Sequence, residues 1–323
     1  MENRENLCGS EQNQEQSLEW KEAQDSEQRA GEKPAFRDSQ RPGSSRQKKA
    51  AVISDMTGFG RCAITVSLPV ISKLKVQCCP VPTAVLSNHT AYPSYYFDDY
   101  TERMEDYIGE WRKLGLTFDG IGIGFLGSRQ QIEIVRDFIR DFRKGDTVVM
   151  VDPIMGDDGK AYATYTEDMC REMKRLAACA DIVTPNVTES CILTGRQYRE
   201  QGWKIEELLD MAQRIGQMGP GKVIITGVQQ GSYIGNFCYE RERDGSGMKY
   251  KLQRTKQVGK TRCGTGDIFS AIILADAVNG VELERSVRKA AGFVRDCIRE
   301  SVRMEVPLTD GVCFEEVLDR LRT

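Results

Sequence analysis

The 323-residue sequence has one histidine, His89, so a Ser-His-Asp triad or a multi-histidine metal site is hard to build from it. Its 11 cysteines contain no C-x-x-C pair, which argues against a zinc ribbon or a disulfide framework and favours a reducing, cytoplasmic setting. The net charge is only −3, so a basic nucleic-acid-binding surface is not expected. No apolar run reaches the roughly 18 residues of a membrane helix, and no signal peptide is visible at the start.

Large apolar residues are also scarce in the first 49 residues, which are rich in Glu, Gln, Ser, Lys and Arg. Such a segment cannot bury enough surface to offset the entropy that is lost on ordering. We therefore predict a disordered tail over residues 1–49, with a docking arm through Leu18 and Trp20 as the alternative. Residues 50–323 are expected to form one domain.

From residue 50 onward, strand and helix patterns alternate along the chain. This alternation predicts an α/β fold, a three-layer α/β/α sandwich around a mostly parallel central sheet. Pro80 and Pro82 restrict residues 77–84 to a loop or an edge strand, and residues 57–60 are interpreted as a glycine-rich turn. Parallel strands are predicted at 50–54, 120–125, 147–151, 181–184 and 223–226, a hairpin at 232–239 and 248–252, and helices at 62–74, 100–114, 130–142, 167–178, 206–218, 267–278 and 283–302.

Polar residues stand at the carboxyl ends of several predicted strands, where parallel α/β sheets bind ligands. They are Ser54, Asp152, Asn186 and Thr226. The carboxylates of Asp152 and Asp157 could hold a magnesium ion, directly or through water, although an ordinary polar strand exit is the simpler interpretation. Asn186 and Glu189 suit a helix capping box, and they also suit a metal or phosphate site; their spacing does not separate these alternatives.

The segment Cys263-Gly264-Thr265-Gly266-Asp267 opens a predicted helix. Its two glycines let the backbone approach a ligand closely, and the helix start offers unpaired N–H groups and a positive dipole end. This arrangement suits a phosphoryl group whose charge rises during transfer, and Asp267 could accept a proton from a substrate hydroxyl. The alternative is a glycine-rich loop in which Asp267 caps the helix. The Cys263 thiol could contact an aldehyde, although a small buried residue is the simpler interpretation.

The run Gly122-Ile123-Gly124-Phe125-Leu126-Gly127 matches the G-x-G-x-x-G dinucleotide fingerprint. It does not follow the first strand of the domain, where that fingerprint belongs, and a single match is weak evidence. A nucleotide-binding oxidoreductase built on Gly122–Gly127 remains an alternative from a different functional class.

Taken together, these segments resemble the pyridoxal kinase family of the ribokinase-like superfamily. The matching segments follow the family's order from about residue 50 to residue 321: Ser54-Asp55-Met56, Ser87-Asn88-His89-Thr90, residues 152–157, Thr184-Pro185-Asn186 with Glu189, and Gly264-Thr265-Gly266-Asp267. The resemblance implies a ribokinase-like fold and an ATP-dependent kinase acting on the 5'-hydroxymethyl group of pyridoxal, pyridoxamine or pyridoxine, in vitamin B6 salvage to pyridoxal 5'-phosphate. A hydroxymethylpyrimidine kinase on the same fold remains an alternative.

The resemblance also implies a role for each matching residue. Asp267 would be the catalytic base, and the anion hole would be formed by the backbone of Gly264, Thr265 and Gly266. The substrate would be bound or oriented by Ser54, Thr90, His89 and Phe125, the last of which stands where many relatives have a tyrosine.

The nucleotide end of the site is implied in the same way. ATP would contact Asp152, Asn186, Glu189 and Thr226, and Mg²⁺ would be held by Asp152, Asp157 and Glu189. A K⁺ or similar ion is implied near the nucleotide. The implied assembly is a homodimer that binds a small-molecule B6 vitamer and neither nucleic acid nor membrane.

Overall fold

The central sheet of the protein is built from apolar runs that alternate with helices. The computed structural model describes residues 47–242 and 247–323. Within these residues the strands are β1 (Lys48–Phe59), β2 (Val76–Asn88), β3 (Phe97–Asp99), β4 (Gly120–Ile123), β5 (Val148–Val151), β6 (Gly156–Asp157), β7 (Lys160–Ala161), β8 (Ile182–Val183), β9 (Lys222–Gln230), β10 (Tyr233–Arg241) and β11 (Met248–Lys256).

Nine of these strands form one sheet with the order β11-β10-β9-β8-β5-β4-β1-β2-β3. The six strands from β9 to β2 in this order are parallel to one another. The antiparallel strands lie at the two edges: β3 at one side, and the β10–β11 hairpin at the other. The prediction of a mostly parallel sheet with a terminal hairpin is confirmed.

Helices cover both faces of the sheet. They are α1 (Ala63–Lys73), α2 (Thr101–Lys113), α3 (Arg129–Phe142), α4 (Glu167–Ala177), α5 (Val187–Thr194), α6 (Ile205–Met218), α7 (Thr265–Val278) and α8 (Leu283–Arg303), followed by 3₁₀ turns at Leu308–Asp310 and Glu315–Arg320.

Two separate apolar cores lie on the two sides of the sheet. Side chains alternate along a strand, so Ala51 and Ile53 of β1 pack with helices α2 to α6, whereas Ala50 and Val52 pack with α1, α7 and α8. The predicted three-layer α/β/α sandwich is therefore confirmed.

The first strand is longer than its sequence pattern indicates. Residues Thr57–Phe59, interpreted above as part of a turn, continue β1 and pair with β2 as far as Asn88. That interpretation is wrong because a register shift between Ser54 and Met56 lets the strand continue past its polar residues. Gly58 permits close pairing here, since a Cβ at this position would lie 2.9 Å from the Ser87 carbonyl oxygen.

The proline-containing segment is an edge strand along part of its length. Strand β2 pairs with β1 throughout, but its other side pairs with β3 only at Ala84–Leu86. Pro80 and Pro82 come before the residues that pair with β3. At these two positions the missing backbone N–H costs no hydrogen bond to β3. The edge-strand alternative for residues 77–84 is thus confirmed.

The predicted disordered tail, residues 1–49, lies outside the described residues except for its last three positions. Of these, Lys48 and Lys49 already belong to β1. Among the described residues, no helix is both long and apolar enough to cross a membrane.

Candidate active site

A small cavity of about 30 Å³ lies where β1, β4 and β5 end beside the first turns of α7. The cavity brings together three side chains to which the sequence assigned different tasks: Ser54, Asp152 and Asp267. Its wall is completed by Gly124, Ile154 and Ser270, among others. The carboxyl ends of parallel strands and a helix N-terminus therefore converge on one point, as the fold class requires.

The two glycines before Asp267 have different surroundings. Gly264 is the N-cap of α7 with φ 85°, and a Cβ there would overlap the Arg61 carbonyl oxygen. Packing and conformation both require glycine at that position. Gly266 is exposed, and a Cβ there would meet no heavy atom within 4 Å. Nothing in the described protein requires glycine at 266, so the open space beside it is available to a ligand.

The N–H groups at the start of α7 are not equally available. The Thr265 side chain donates to the Arg262 carbonyl oxygen at 3.0 Å, and the Thr265 N–H points to the same oxygen at 3.4 Å. Among the three residues assigned to an anion hole, Thr265 thus already has a protein acceptor. This leaves the part of the turn around Gly266 as the most open face for an anion.

The Asp267 carboxyl is held in place and made more basic. Burial raises its pKa to about 6, the nearby Asp55 carboxyl raises it as well, and a hydrogen bond from the Ala63 N–H acts in the opposite direction. Ala63 has φ 54°, a conformation that is rare for residues other than glycine and that is often found at functional sites. A carboxyl with this pKa is mostly ionised at pH 7 and can accept a proton.

Asp152 interacts electrostatically with Asp267. Burial raises the Asp152 pKa to about 7, and the charge of Asp267 raises it too, whereas a 2.6 Å hydrogen bond from the Ser270 hydroxyl lowers it. Two mutually repelling carboxyls therefore share this cavity. The excess negative charge would be relieved by a bound cation.

The loop after β5 turns sharply to meet α5. Ile154 has φ 42°, an outlier for a β-branched residue, and the Met155 N–H that follows donates to Glu189 Oε1 at 2.9 Å. Glu189 Oε2 accepts from the Asn186 N–H, and Asn186 Oδ1 accepts from the Glu189 N–H, both at 2.8 Å. The capping box that the sequence left open is formed.

The capping box limits what Glu189 can do as a metal ligand. Burial and the neighbouring Asp152 raise the pKa of Glu189 to about 8, and each of its oxygens already accepts a backbone N–H. Asp157 is exposed in β6. In the described ranges, no group of three or more His, Cys, Asp or Glu side chains is arranged to hold a metal ion.

Asn186 and Thr226, both assigned to the nucleotide, lie side by side. They form a parallel bridge between the segment after β8 and the middle of β9, and the Thr226 N–H donates to the Pro185 carbonyl oxygen at 2.9 Å. The Asn186 side chain also donates to the Gly156 carbonyl oxygen at 2.8 Å. Asn186 thus links the loop after β5 to the middle of β9.

Ser54, which lines the cavity, is hydrogen-bonded to Phe125, which does not line it. Ser54 Oγ accepts from the Phe125 N–H at 3.2 Å, and it donates to Asp55 at 3.3 Å. Asp55 also accepts a 2.6 Å hydrogen bond from the Thr57 hydroxyl, and burial raises its pKa. No role was assigned to Asp55 from the sequence; its position directly after Ser54 was the available signal.

His89 and Thr90 do not line the cavity. His89 is buried, its Nδ1 accepts from the Ala91 N–H at 3.2 Å, and its Nε2 therefore donates to the Thr309 carbonyl oxygen at 2.6 Å. The imidazole orients the segment after α8, and Gly60 is needed beside it because a Cβ would overlap the ring. Thr90 is exposed.

The glycines of the dinucleotide-like run have a packing role. A Cβ at Gly122 would lie 2.6 Å from Leu274 Cδ2, and one at Gly120 would lie 2.5 Å from Val278 Cγ2. Glycine lets α7 lie close against β4, so Gly122 is explained without a nucleotide. Gly124 similarly makes room for Ser54 Oγ, which would be 2.7 Å from its Cβ.

Comparison with known proteins identifies the family of the chain. The sequence profile of a family described as phosphomethylpyrimidine kinase matches residues 64–309. The chain belongs to this family. Its fold is that of the ribokinase-like group that includes the pyridoxal kinases, as the sequence predicted, and it is a kinase.

Individual relatives include both phosphomethylpyrimidine kinases and pyridoxal kinases. A Bacteroides thetaiotaomicron protein, provisionally described as a phosphomethylpyrimidine kinase, is 37% identical with a TM-score of 0.82, covering 86% of this chain and 95% of that chain. Its second crystal form, at 36% identity, contains pyridoxal.

A hydroxymethylpyrimidine/phosphomethylpyrimidine kinase of Aquifex aeolicus is 26% identical over 57% of this chain and 69% of the relative. A pyridoxal kinase of Leifsonia xyli is 26% identical over 82% of this chain and 95% of the relative. The kinase family is therefore established, and both substrate classes occur among its relatives.

Proposed function

We propose that this kinase transfers the γ-phosphoryl group of ATP to the 5'-hydroxymethyl oxygen of pyridoxal, pyridoxamine or pyridoxine, as in vitamin B6 salvage to pyridoxal 5'-phosphate. The observation that carries the proposal is the convergence of Ser54, Asp152 and Asp267 on one cavity, next to the open space at Gly266 in the first turn of α7. The choice of a B6 vitamer is supported by the related crystal form that contains pyridoxal.

In the proposed mechanism, Asp267 accepts the proton of the hydroxymethyl group as its oxygen attacks the γ-phosphorus. Its pKa of about 6 suits this task near neutral pH. The Gly266 side of the helix tip faces the developing negative charge, with Gly264 and Thr265 shaping the turn. Phosphoryl transfer of this kind depends mainly on positioning and charge stabilisation.

The ring of the vitamer is assigned to the space beside Ser54 and Phe125, next to the cavity. Ser54 would bind a polar ring substituent, and the Phe125 side chain would pack on the ring. His89 would act indirectly by holding the segment that contains Thr309. Thr90 is exposed, so its contact with the ring requires the surrounding loop to adjust on binding.

The nucleotide is assigned to Asp152, Asn186, Glu189 and Thr226. The carboxyls of Asp152 and Asp157 would hold Mg²⁺ with the triphosphate, and Glu189 would support them through the capping box. The surplus negative charge around Asp152 fits such a cation. When bound, Mg²⁺ neutralises charge on the phosphate oxygens. A monovalent cation such as K⁺ near the nucleotide, a homodimeric assembly and a cytoplasmic location are part of the same proposal.

A second substrate class is hydroxymethylpyrimidine. The matching family profile and the Aquifex relative favour it. Both substrates present a hydroxymethyl group on a planar heterocycle, so the same base and helix tip would serve either one.

The two are separated by measuring ATP-dependent phosphorylation of pyridoxal, pyridoxamine, pyridoxine and hydroxymethylpyrimidine with one enzyme preparation. We expect kcat/KM for the best vitamer to exceed that for hydroxymethylpyrimidine by at least tenfold. A higher kcat/KM for hydroxymethylpyrimidine would assign the chain to the second class.

A further inference from the structure

Two cysteines that the proposed mechanism does not use lie near the carboxyls of Asp267 and Asp55. Cys62 is the N-cap of α1, one residue before Ala63, whose N–H binds the Asp267 carboxyl. Cys263 directly precedes Gly264 at the start of α7. The two thiols lie close enough to shift each other's pKa although they lie far apart in the sequence.

The backbone confirms that these two segments are in close contact. A Cβ on Gly264 would overlap the Arg61 carbonyl oxygen, so the residues next to each cysteine already touch. Disulfides need neighbouring backbones of this kind, because the Cα atoms must stand within about 7 Å of each other. Both cysteines are free thiols in the structure.

The two thiols have unequal surroundings. The neighbouring Cys62 thiol lowers the pKa of the Cys263 thiol, while Cys62 is buried and its own pKa is raised. Cys263 is partly exposed, so a small oxidant can reach its sulfur. The more acidic and more accessible member of a pair is the one that reacts first.

We propose that Cys62 and Cys263 form a reversible disulfide that switches off phosphoryl transfer at the adjacent site. The oxidant is hydrogen peroxide. The Cys263 thiolate attacks a peroxide oxygen, which breaks the O–O bond, releases water after protonation and leaves a sulfenic acid. The Cys62 thiol then attacks that sulfur, the S–S bond forms, and the sulfenic oxygen leaves as a second water.

The disulfide would change the site by moving the two segments that it joins. Shortening the sulfur–sulfur separation to the roughly 2 Å of a disulfide draws the start of α1 toward the start of α7. Arg61 and Ala63, which flank Cys62, have φ values of 49° and 54°, so this segment has little freedom to absorb the change. The Ala63 N–H that orients Asp267 and the open turn at Gly266 would both be displaced.

The effect on activity rests on the proposed function, whereas the bond itself can be observed without it. The full-length protein is treated with hydrogen peroxide or with dithiothreitol, alkylated and digested, and the Cys62–Cys263 cross-linked peptide is quantified by mass spectrometry. Phosphorylation of pyridoxal is measured on the same samples. Cys62→Ser and Cys263→Ser are compared with Cys170→Ser, a partly exposed cysteine on α4.

We expect the cross-linked peptide to appear with peroxide, with at least a tenfold loss of turnover, and both changes to be reversed by dithiothreitol. Cys62→Ser and Cys263→Ser should form no such peptide and keep their activity through mild oxidation, whereas Cys170→Ser should respond like the natural protein. Recovery of both cysteines as alkylated thiols after peroxide treatment would overturn the proposal. A complete disulfide with unchanged turnover would overturn the switch. A cross-linked peptide in a protein that phosphorylates no tested substrate when reduced would support the disulfide site and refute the proposed function.

Discussion

Replacement of Gly266 by alanine should separate stability from activity at the helix tip. The added Cβ would meet no heavy atom of the protein within 4 Å, so it introduces no clash. Alanine in a helix is favoured over glycine by about 0.5–1 kcal/mol. Gly266→Ala should therefore unfold about 1–3 °C higher than the natural protein.

The same methyl group should impair turnover, because it stands in the open space that we assign to the phosphoryl group. Displacing a reacting group by about 1 Å can cost about 10²-fold in rate. We expect kcat/KM for pyridoxal to fall at least tenfold while thermal unfolding shows a stable fold. Steady-state kinetics and a thermal melt on one preparation are sufficient.

Two other glycines provide matched controls. Gly292 lies within α8, and a Cβ there also meets nothing within 4 Å, so Gly292→Ala should gain similar stability and keep normal turnover. Gly264→Ala should instead lose stability, because φ is 85° and the Cβ would overlap the Arg61 carbonyl oxygen. Normal kcat/KM in Gly266→Ala would refute the assignment of this space to a ligand.

Further predictions concern the carboxyls and the packing of α7. The rate should fall as pH drops through about 6 to 7, because the pKa of Asp267 is about 6 and the base must be ionised; a pH–rate profile that stays flat to pH 5 would contradict this. Burial raises the folded-state pKa of Asp267 above its ordinary value of 3.8. The stability that the protonated carboxyl contributes is therefore lost as pH rises through about 6. Asp267→Asn should raise the free energy of unfolding by about 1–3 kcal/mol at pH 8 but not at pH 3.5. Glu189→Gln keeps one of the two acceptor oxygens and should cost less stability than Glu189→Ala. The alanine variant should lose about 1–3 kcal/mol by leaving two buried N–H groups without an acceptor; equal losses in urea unfolding would argue against the capping role. Gly122→Ala should lose about 1–3 kcal/mol because its Cβ would lie 2.6 Å from Leu274, and unchanged stability would reopen the nucleotide interpretation of that glycine.

The layered fold could be read from the sequence because each element carries its own periodicity. Buried strands such as β4 and β5 are short apolar runs, and amphipathic helices such as α3 repeat their apolar residues every three or four positions. The end of β1 could not be read in this way. Its Thr-Gly-Phe-Gly segment has turn composition, and only pairing with β2 keeps it extended.

In the site too, local motifs could be predicted from the sequence and contacts between distant segments could not. Local motifs such as the capping box of Asn186 and Glu189 depend on residues three apart, so the sequence could suggest them. The contact between Cys62 and Cys263 depends on how distant segments meet, and no spacing rule reveals it. The packing role of Gly122 could not be predicted either, because its partner Leu274 lies on a helix much later in the chain.

The central claim is that Asp267 is the base that acts on the hydroxymethyl oxygen. The most direct test measures kcat for pyridoxal phosphorylation in Asp267→Asn together with the Kd for pyridoxal. We predict that kcat falls by about 10²–10⁴, the range for a lost general base, while Kd changes less than about threefold. Turnover within a few-fold of the natural enzyme would remove Asp267 from the mechanism and contradict the account.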